Sequence, residues 1–252
     1  MRKFLRQLAA TLAIGACFGT AQAGPAVIDF EAGLDTSFAP FAPFVTHGDA
    51  LVQGNFFVGT ASTKAGAIGS TGAQPGDLVG LLIDGSDVAN TCFNLICPTN
   101  NGTNFLSLVN DGLPWLGRLD GGLFTISSFD AAFIAAGGAT VPTFPLLLRV
   151  YAWDIDGNLY FEDVLPSGLN NGLLEFNSYT LSDAFASRHY VEVDFYGYAC
   201  NSAGSCNRPS NAAQFAIDNI ALYAIPEPAS LALVGLTIAG LGAVRRRRMV
   251  AA

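Results

Sequence analysis

Positive charge is scarce in this chain. Of 252 residues only 12 are Lys or Arg, and seven of those sit at the ends: Arg2, Lys3 and Arg6 at one, Arg245 to Arg248 at the other. Lys64, Arg118, Arg149, Arg188 and Arg208 are all that remain between, against 19 of the 20 acidic side chains. Such a domain repels a phosphate backbone, which excludes nucleic acid as a partner. Histidine is equally sparse. His47 and His189 leave little material for a catalytic triad or a zinc site, and neither a G-x-S-x-G elbow nor an H-E-x-x-H motif occurs. Long runs of 3.6-residue periodicity are missing from the middle of the chain, so a helical bundle is excluded as well.

What is present begins with an export leader. A basic start, an apolar run from Leu8 to Phe18 and Ala21-Gln22-Ala23 before Gly24 form a signal-peptide layout over residues 1–23. The apolar run is too short to span a bilayer, which needs about 20 residues. Cys17 leaves with the leader. Cys92, Cys97, Cys200 and Cys206 remain as two close pairs, which in an exported chain favours disulfides, most simply Cys92–Cys97 and Cys200–Cys206, although spacing alone does not prove the pairing. A zinc site is the weaker reading, because C-x2-C spacing is absent and no histidine neighbours either pair.

The other end has three parts in order. Pro226-Glu227-Pro228 holds the chain extended, since proline lacks an N–H and restricts the residue before it. Ala229 to Val244 carries no charge, at the short edge of a transmembrane helix. Arg245, Arg246, Arg247 and Arg248 follow at once and favour the cytoplasmic side. This order resembles the PEP-CTERM sorting signal of exopolysaccharide-producing Gram-negative bacteria. The resemblance implies that residues 225–252 are an address read by exosortase, a membrane cysteine-type transpeptidase or protease. The precursor is then anchored in the inner membrane by its C-terminal helix and delivered to the cell surface or extracellular matrix. Gln214-Phe215-Ala216-Ile217-Asp218 and the stretch GLFTISSFDAAF (Gly122 to Phe133) further resemble the QFxxD subgroup of such proteins.

Residues 24–224 read as one all-β ectodomain, a jelly-roll-like β-sandwich. Val27 to Glu31, Leu147 to Trp153, Tyr190 to Tyr196 and Ile220 to Tyr223 alternate with period two, and Gly- and Asp-rich turns separate them. YAWDIDGNLYFEDV predicts a hairpin turning at Asp156-Gly157-Asn158. Ala131 to Ala136 is the single helical exception expected, and Gly66 to Gly76 and Thr99 to Asn104 read as surface loops.

Catalysis is not supported. Glu192-Val193-Asp194-Phe195-Tyr196-Gly197 resembles the E-x-D-x-(x)-E signature of jelly-roll β-glucanases, whose glutamates act as nucleophile and acid/base. A strand places Glu192, Asp194 and Tyr196 on one face, but the second glutamate is missing, and an ordinary strand with a polar outer face is the better reading. Asp154, Asp156 and Asn158 suggest part of a calcium loop, yet position 12 is Leu165, so a polar turn is preferred. Trp115, Trp153, Tyr151 and Tyr160 could stack on sugars, although filling the sandwich core is the plainer expectation.

At the chain's two ends, Ile28 and Phe30 face inward, so Asp29 and Glu31 share the other face. The alternation slips at Asp218-Asn219 as a bulge makes it slip. Asp218 then becomes a partner for Glu31 or Asp29 around a structural calcium, with a turn-capping role for Asp218 as the competing reading. The function expected is a non-catalytic structural or adhesive surface protein; a carbohydrate-binding module for exopolysaccharide comes second and a degenerate glycan hydrolase third.

Overall fold

The computed structural model describes residues 24–62, 74–136, 146–166, 173–200, 205–207 and 213–226. The leader, the apolar stretch Ala229–Val244, Glu227, Pro228 and Arg245 to Arg248 lie outside the described residues, as does most of the loop expected from Gly66 to Gly76. Residues Gly24–Ile225 form one unit of nearly pure β-structure.

Two sheets share the strands. Sheet A has seven: β1 (Gly24–Ile28), β3 (Phe44–Thr46), β6 (Leu78–Asp84), β8 (Asn104–Leu108), β10 (Phe124–Phe133), β14 (Asn177–Thr180) and β17 (Phe215–Ala224). Their order is β14-β10-β17-β8-β6-β3, with β1 pairing β17 as well. Sheet B runs β13 (Leu159–Val164), β12 (Leu146–Trp153), β15 (Glu192–Cys200), β9 (Gly112–Arg118), β5 (Phe56–Ser62), β4 (Ala50–Gln53) and β2 (Leu34–Asp35), with β16 (Cys206–Asn207) added to β15. A small ladder joins β7 (Leu95–Ile96) to β11 (Ala135–Ala136).

The core lies between the two sheets because each strand turns one parity of apolar side chains inward. Ile126, Phe129, Ile217 and Ile220 of sheet A meet Leu51, Val58, Leu116, Val150, Val193 and Phe195 of sheet B, all essentially without solvent contact. Aromatic rings stitch the layers edge to face, Phe56 with Phe124 at 5.6 Å and Phe129 with Phe195 at 4.9 Å between centroids.

Several expectations are met. The first and last strands pair antiparallel, from Gly24 opposite Ala224 to Ile28 opposite Ile220. The hairpin of β12 and β13 turns through Gly157 at φ +79°. The slip at Asp218-Asn219 is present: Asn219 adopts φ +49°, so Ile217 and Ile220 both reach the core while Asp218 points the other way. Both expected disulfides form, Cys92–Cys97 and Cys200–Cys206. One expectation fails. Ala131 to Ala136 is strand rather than helix, because β10 continues through Phe133, held between β14 and β17, and Ala135–Ala136 pairs with β7. Non-local pairing on both sides outweighs alanine's modest helix propensity.

Arg118 fixes where the chain leaves the sandwich. Its Nη1 donates to the carbonyls of Leu123 (2.7 Å) and Ile225 (2.8 Å), and its Nη2 donates to Asp120 Oδ2 at 2.6 Å. This buried arginine ties down the residue immediately before Pro226.

Candidate functional site

The outward face of sheet B is built from the other parity of the core strands. Val193 and Phe195 fill the inter-sheet core, so Glu192, Asp194, Tyr196 and Tyr198 on β15 point away from it. Leu148, Val150 and Ala152 do the same on β12, which turns Arg149, Tyr151 and Trp153 outward; Leu116 is inward on β9, which turns Trp115 outward. Strand pairing then lines up one row across five strands: Phe161, Tyr151, Asp194, Trp115 and Gly59 stand directly opposite one another in turn. Asp194 therefore lies between two aromatic neighbours, at the roughly 5 Å spacing of cross-strand pairs.

Two glycines shape this surface. A methyl group at Gly59 would meet the Trp115 indole at 2.3 Å, and one at Gly117 would meet the Phe57 ring at 2.7 Å. Each missing side chain lets a neighbouring ring lie down on the sheet. Phe57 and Trp115 then touch edge to face at 4.7 Å, and Tyr151 meets Tyr196 in the same way at 5.3 Å. Trp115, Tyr151 and Trp153 are partly buried on the outward face, so they do not fill the core between the sheets as the plainer expectation held. Tyr160 alone of that group packs against the core, with its hydroxyl donating to Asp154 Oδ2 and Arg188 over its ring.

The charges on this face are unequal in their surroundings. Arg149 is locked to Asp163 by two hydrogen bonds, Nε to Oδ1 at 2.5 Å and Nη2 to Oδ2 at 2.8 Å, and its guanidinium lies 4.4 Å from the centre of the Phe161 ring. Asp163 raises the pKa of Arg149 further above its ordinary value. Asp194 is 5% exposed. Burial first, and Glu192 second, push its carboxyl up to about 8, with the Tyr196 hydroxyl partly offsetting them. Glu192 is raised too, by burial. The expected ordinary strand with a polar outer face is thus a buried acid among rings.

The other residues singled out have local roles. Asp154 Oδ1 accepts the amides of Asp156 and Asn158, which makes this segment a turn. His47 Nδ1 accepts the Ser62 amide. Asp218, 0% exposed, accepts from Asn101 Nδ2 at 2.7 Å and from its neighbour's Asn219 amide at 2.8 Å. Its carboxylate neighbour is Asp130, joined through Asn219 Nδ2, rather than Glu31, both of whose oxygens accept from Asn104. Asp29 Oδ1 accepts from Gln53 Nε2 at 2.6 Å. N–H donors occupy Asp29 Oδ1 and the carboxylate oxygens of Glu31 and Asp218, and among the described residues no three His, Cys, Asp or Glu side chains are placed to hold a metal ion. Asp29, Glu31 and Asp218 do not fit a calcium site in this arrangement.

Pro226 follows the strand end that Arg118 ties down, and the tail beyond it can be compared directly with known sorting signals. The chain carries a PEP-CTERM protein-sorting motif at residues 224–248. The PEP-CTERM motif implies an exported protein, anchored at its C-terminus before processing by exosortase. No curated protein matches the chain significantly. Among solved structures, the PEP-CTERM chain is similar to a DUF4465 family protein from Bacteroides caccae, with 17% identity, 81% of this chain and 100% of that one covered, and a TM-score of 0.43. It is also similar to CBM27-1 of Caldicellulosiruptor saccharolyticus, solved with mannohexaose, at 11% identity, 79% and 97% coverage and a TM-score of 0.34. Likeness at this level carries neither residues nor ligands across.

Proposed function

We propose that the protein is an exosortase-sorted surface or matrix component whose sandwich binds a glycan, without cleaving it, on the outward face of sheet B. The observation that carries this reading is the row Phe161–Tyr151–Asp194–Trp115, with Trp115 laid across Gly59. Half-exposed rings offer faces to the apolar sides of sugar rings, and polar groups set among them fix orientation. Adhesion follows from many weak contacts along a polymer, since linked sites gain from effective concentration. Absence of cleavage is supported by the site's chemistry: beside Glu192 and Asp194, the position that would carry a second glutamate holds Tyr196.

Affinity electrophoresis of the detergent-solubilised full chain through gels containing neutral β-linked polysaccharides tests the reading. The wild-type protein is expected to be retarded, and Trp115→Ala to lose at least about tenfold in affinity, the range of a stacking anchor. Unretarded wild-type protein on every polysaccharide, or retardation indifferent to Trp115, overturns it.

A second reading, a structural component acting through protein contacts, draws on a different patch. Phe38, Phe41, Phe44 and Phe93 are exposed, and Phe93 stands inside the Cys92–Cys97 loop with its ring 4.9 Å from that of Phe44. A cavity of about 250 Å³ lined by Phe30, Leu34, Pro43, Leu82 and Phe93 lies beside it. Exposed apolar surface of this kind marks contact sites.

A further inference from the structure

On the outward face of sheet B, Glu192 and Asp194 come together with no unpaired cation among the described residues to meet them. Glu192 and Asp194 leave the same side of β15, and Asp194 Oδ1 is buried without a hydrogen-bond partner. Everything packed around Asp194 can be named. Glu192 and Tyr196 face it from its own strand, Tyr151 and Arg149 from β12, and Trp115 from β9, which contributes no charge there. Arg149 is already neutralised by Asp163 of β13. An unmet buried acceptor is destabilising, and aromatic residues stand opposite it on both neighbouring strands, Tyr151 on β12 and Trp115 on β9.

We propose that this site receives the ammonium group of an amino sugar, seated between Trp115 and Tyr151 and donating to Asp194 with Glu192 beside it. The inference rests on the glycan-binding reading and narrows it to polymers with free amines. A sugar hydroxyl could donate to Oδ1, but it would leave two carboxyls facing each other. An ammonium offsets both, and aromatic faces attract a cation most strongly where water is excluded. Uronic or sulfated glycans meet the opposite situation, because the surrounding domain is strongly anionic. Proton balance follows. Burial keeps Asp194 largely protonated at neutral pH. When an ammonium seats, the carboxyl ionises and its proton passes to the buffer.

Titration calorimetry on the full chain in detergent, at about pH 6 where the amines are charged, tests this with two probes: a fully deacetylated glucosamine hexamer and its N-acetylated counterpart. The free-amine hexamer is expected to bind at least about tenfold tighter, the scale of one charge-assisted hydrogen bond. Two buffers of different ionisation enthalpy should reveal a released proton. Asp194→Asn should erase the preference, and Glu192→Gln should reduce it. Equal binding of the two hexamers, or a preference indifferent to Asp194→Asn, overturns the amine assignment while Trp115-dependent retention of neutral polysaccharide still stands. Should Asp194→Asn not fold, the wild-type proton count and Glu192→Gln decide: no proton released, or an unchanged preference, defeats the proposal. Loss of all Trp115-dependent retention is a separate result, the failure of the glycan reading itself.

Discussion

The two outer faces of the sandwich are finished in opposite ways. Part of sheet A's outer face is covered: Leu81, Ile83, Phe105 and Ala216 lie beneath the segment from Gly85 to Ile96, which contains the short helix α1 (Val88–Thr91) and is closed by Cys92–Cys97. Phe105 has 0% exposure and meets Phe176 edge to face at 5.1 Å. Sheet B's outer face carries Leu113, Tyr196 and Tyr198 buried beside the partly buried rings of Trp115 and Tyr151, with Glu192 and Asp194 among them. The chain thus covers part of one face with a disulfide-closed flap and leaves the aromatic row of the other partly open. Exposed aromatic rows are costly to solubility, so their retention argues for a ligand.

Truncating one ring on each face breaks the comparison most directly. Phe105→Ala should lower unfolding free energy by about 3–5 kcal/mol, the range for a fully buried phenylalanine, and leave polysaccharide retention intact in whatever fraction folds. Trp115→Ala should cost only about 1–2 kcal/mol, because the ring lies on the outward face and is only partly buried, and should remove retention. Chemical denaturation combined with affinity electrophoresis reads both quantities. The contrast is lost if Phe105→Ala abolishes retention in folded protein, or if Trp115→Ala unfolds the domain.

The disulfides come next in size. Each closes a short loop, worth about 2 kcal/mol in the chain-entropy picture. Replacing Cys92 and Cys97 by alanine should exceed that figure, because both sulfurs are buried and the flap over sheet A depends on them. Replacing Cys200 and Cys206 should stay near it, since β15 remains held by β9 and β12 on either side. Calorimetric melting of the two double variants should therefore rank the first as less stable. Equal melting temperatures would mean that the flap contributes no more than its loop closure.

Much of the fold was legible in the residues, and the limits are instructive. Period-two alternation, the Asp156-Gly157-Asn158 turn and the slip at Asp218-Asn219 are local signals, and each appears in place. The sorting tail was legible because its three parts are contiguous. Which face Trp115 and Tyr151 take was not legible, because LLLRVYAW on β12 is apolar on both parities. Only the register, which sets Trp115 against Gly59 and Phe57 against Gly117, shows that rings lie outside the core. Asp218's neighbour was missed for the same reason. Asp130 lies 88 positions upstream in β10 and meets it only through strand pairing. Phe57, Arg149, Phe161 and Tyr198 had no signal of their own, being ordinary strand residues until the sheet assembles.

A pH dependence of stability separates the two faces again. Asp218 beneath sheet A's cover is pushed up to about 7, by burial first, with Asp130 and Asp29 adding to it against the bonds from Asn101 and Asn219. Asp194 on sheet B is pushed up to about 8. Both ionise near 4 once the chain unfolds. Between those values the folded protein holds protons that the unfolded chain has released, so this stabilisation is complete below about pH 4 and fades as pH rises through about 7 and 8. The slope per group is at most about 1.4 kcal/mol per pH unit. Asp120 works oppositely but outside this window: held down to about 2, it contributes stability that is lost only as pH falls below about 4. Melting temperature measured between about pH 4 and 9 should therefore decline with rising pH. Asp218→Asn should roughly halve the decline between about 4 and 7, and Asp194→Asn should roughly halve it there and also remove the remaining step between about 7 and 8. A melting temperature that climbs across this window would mean that both carboxyls are ionised in the folded protein, which requires cations beside them that neither face supplies.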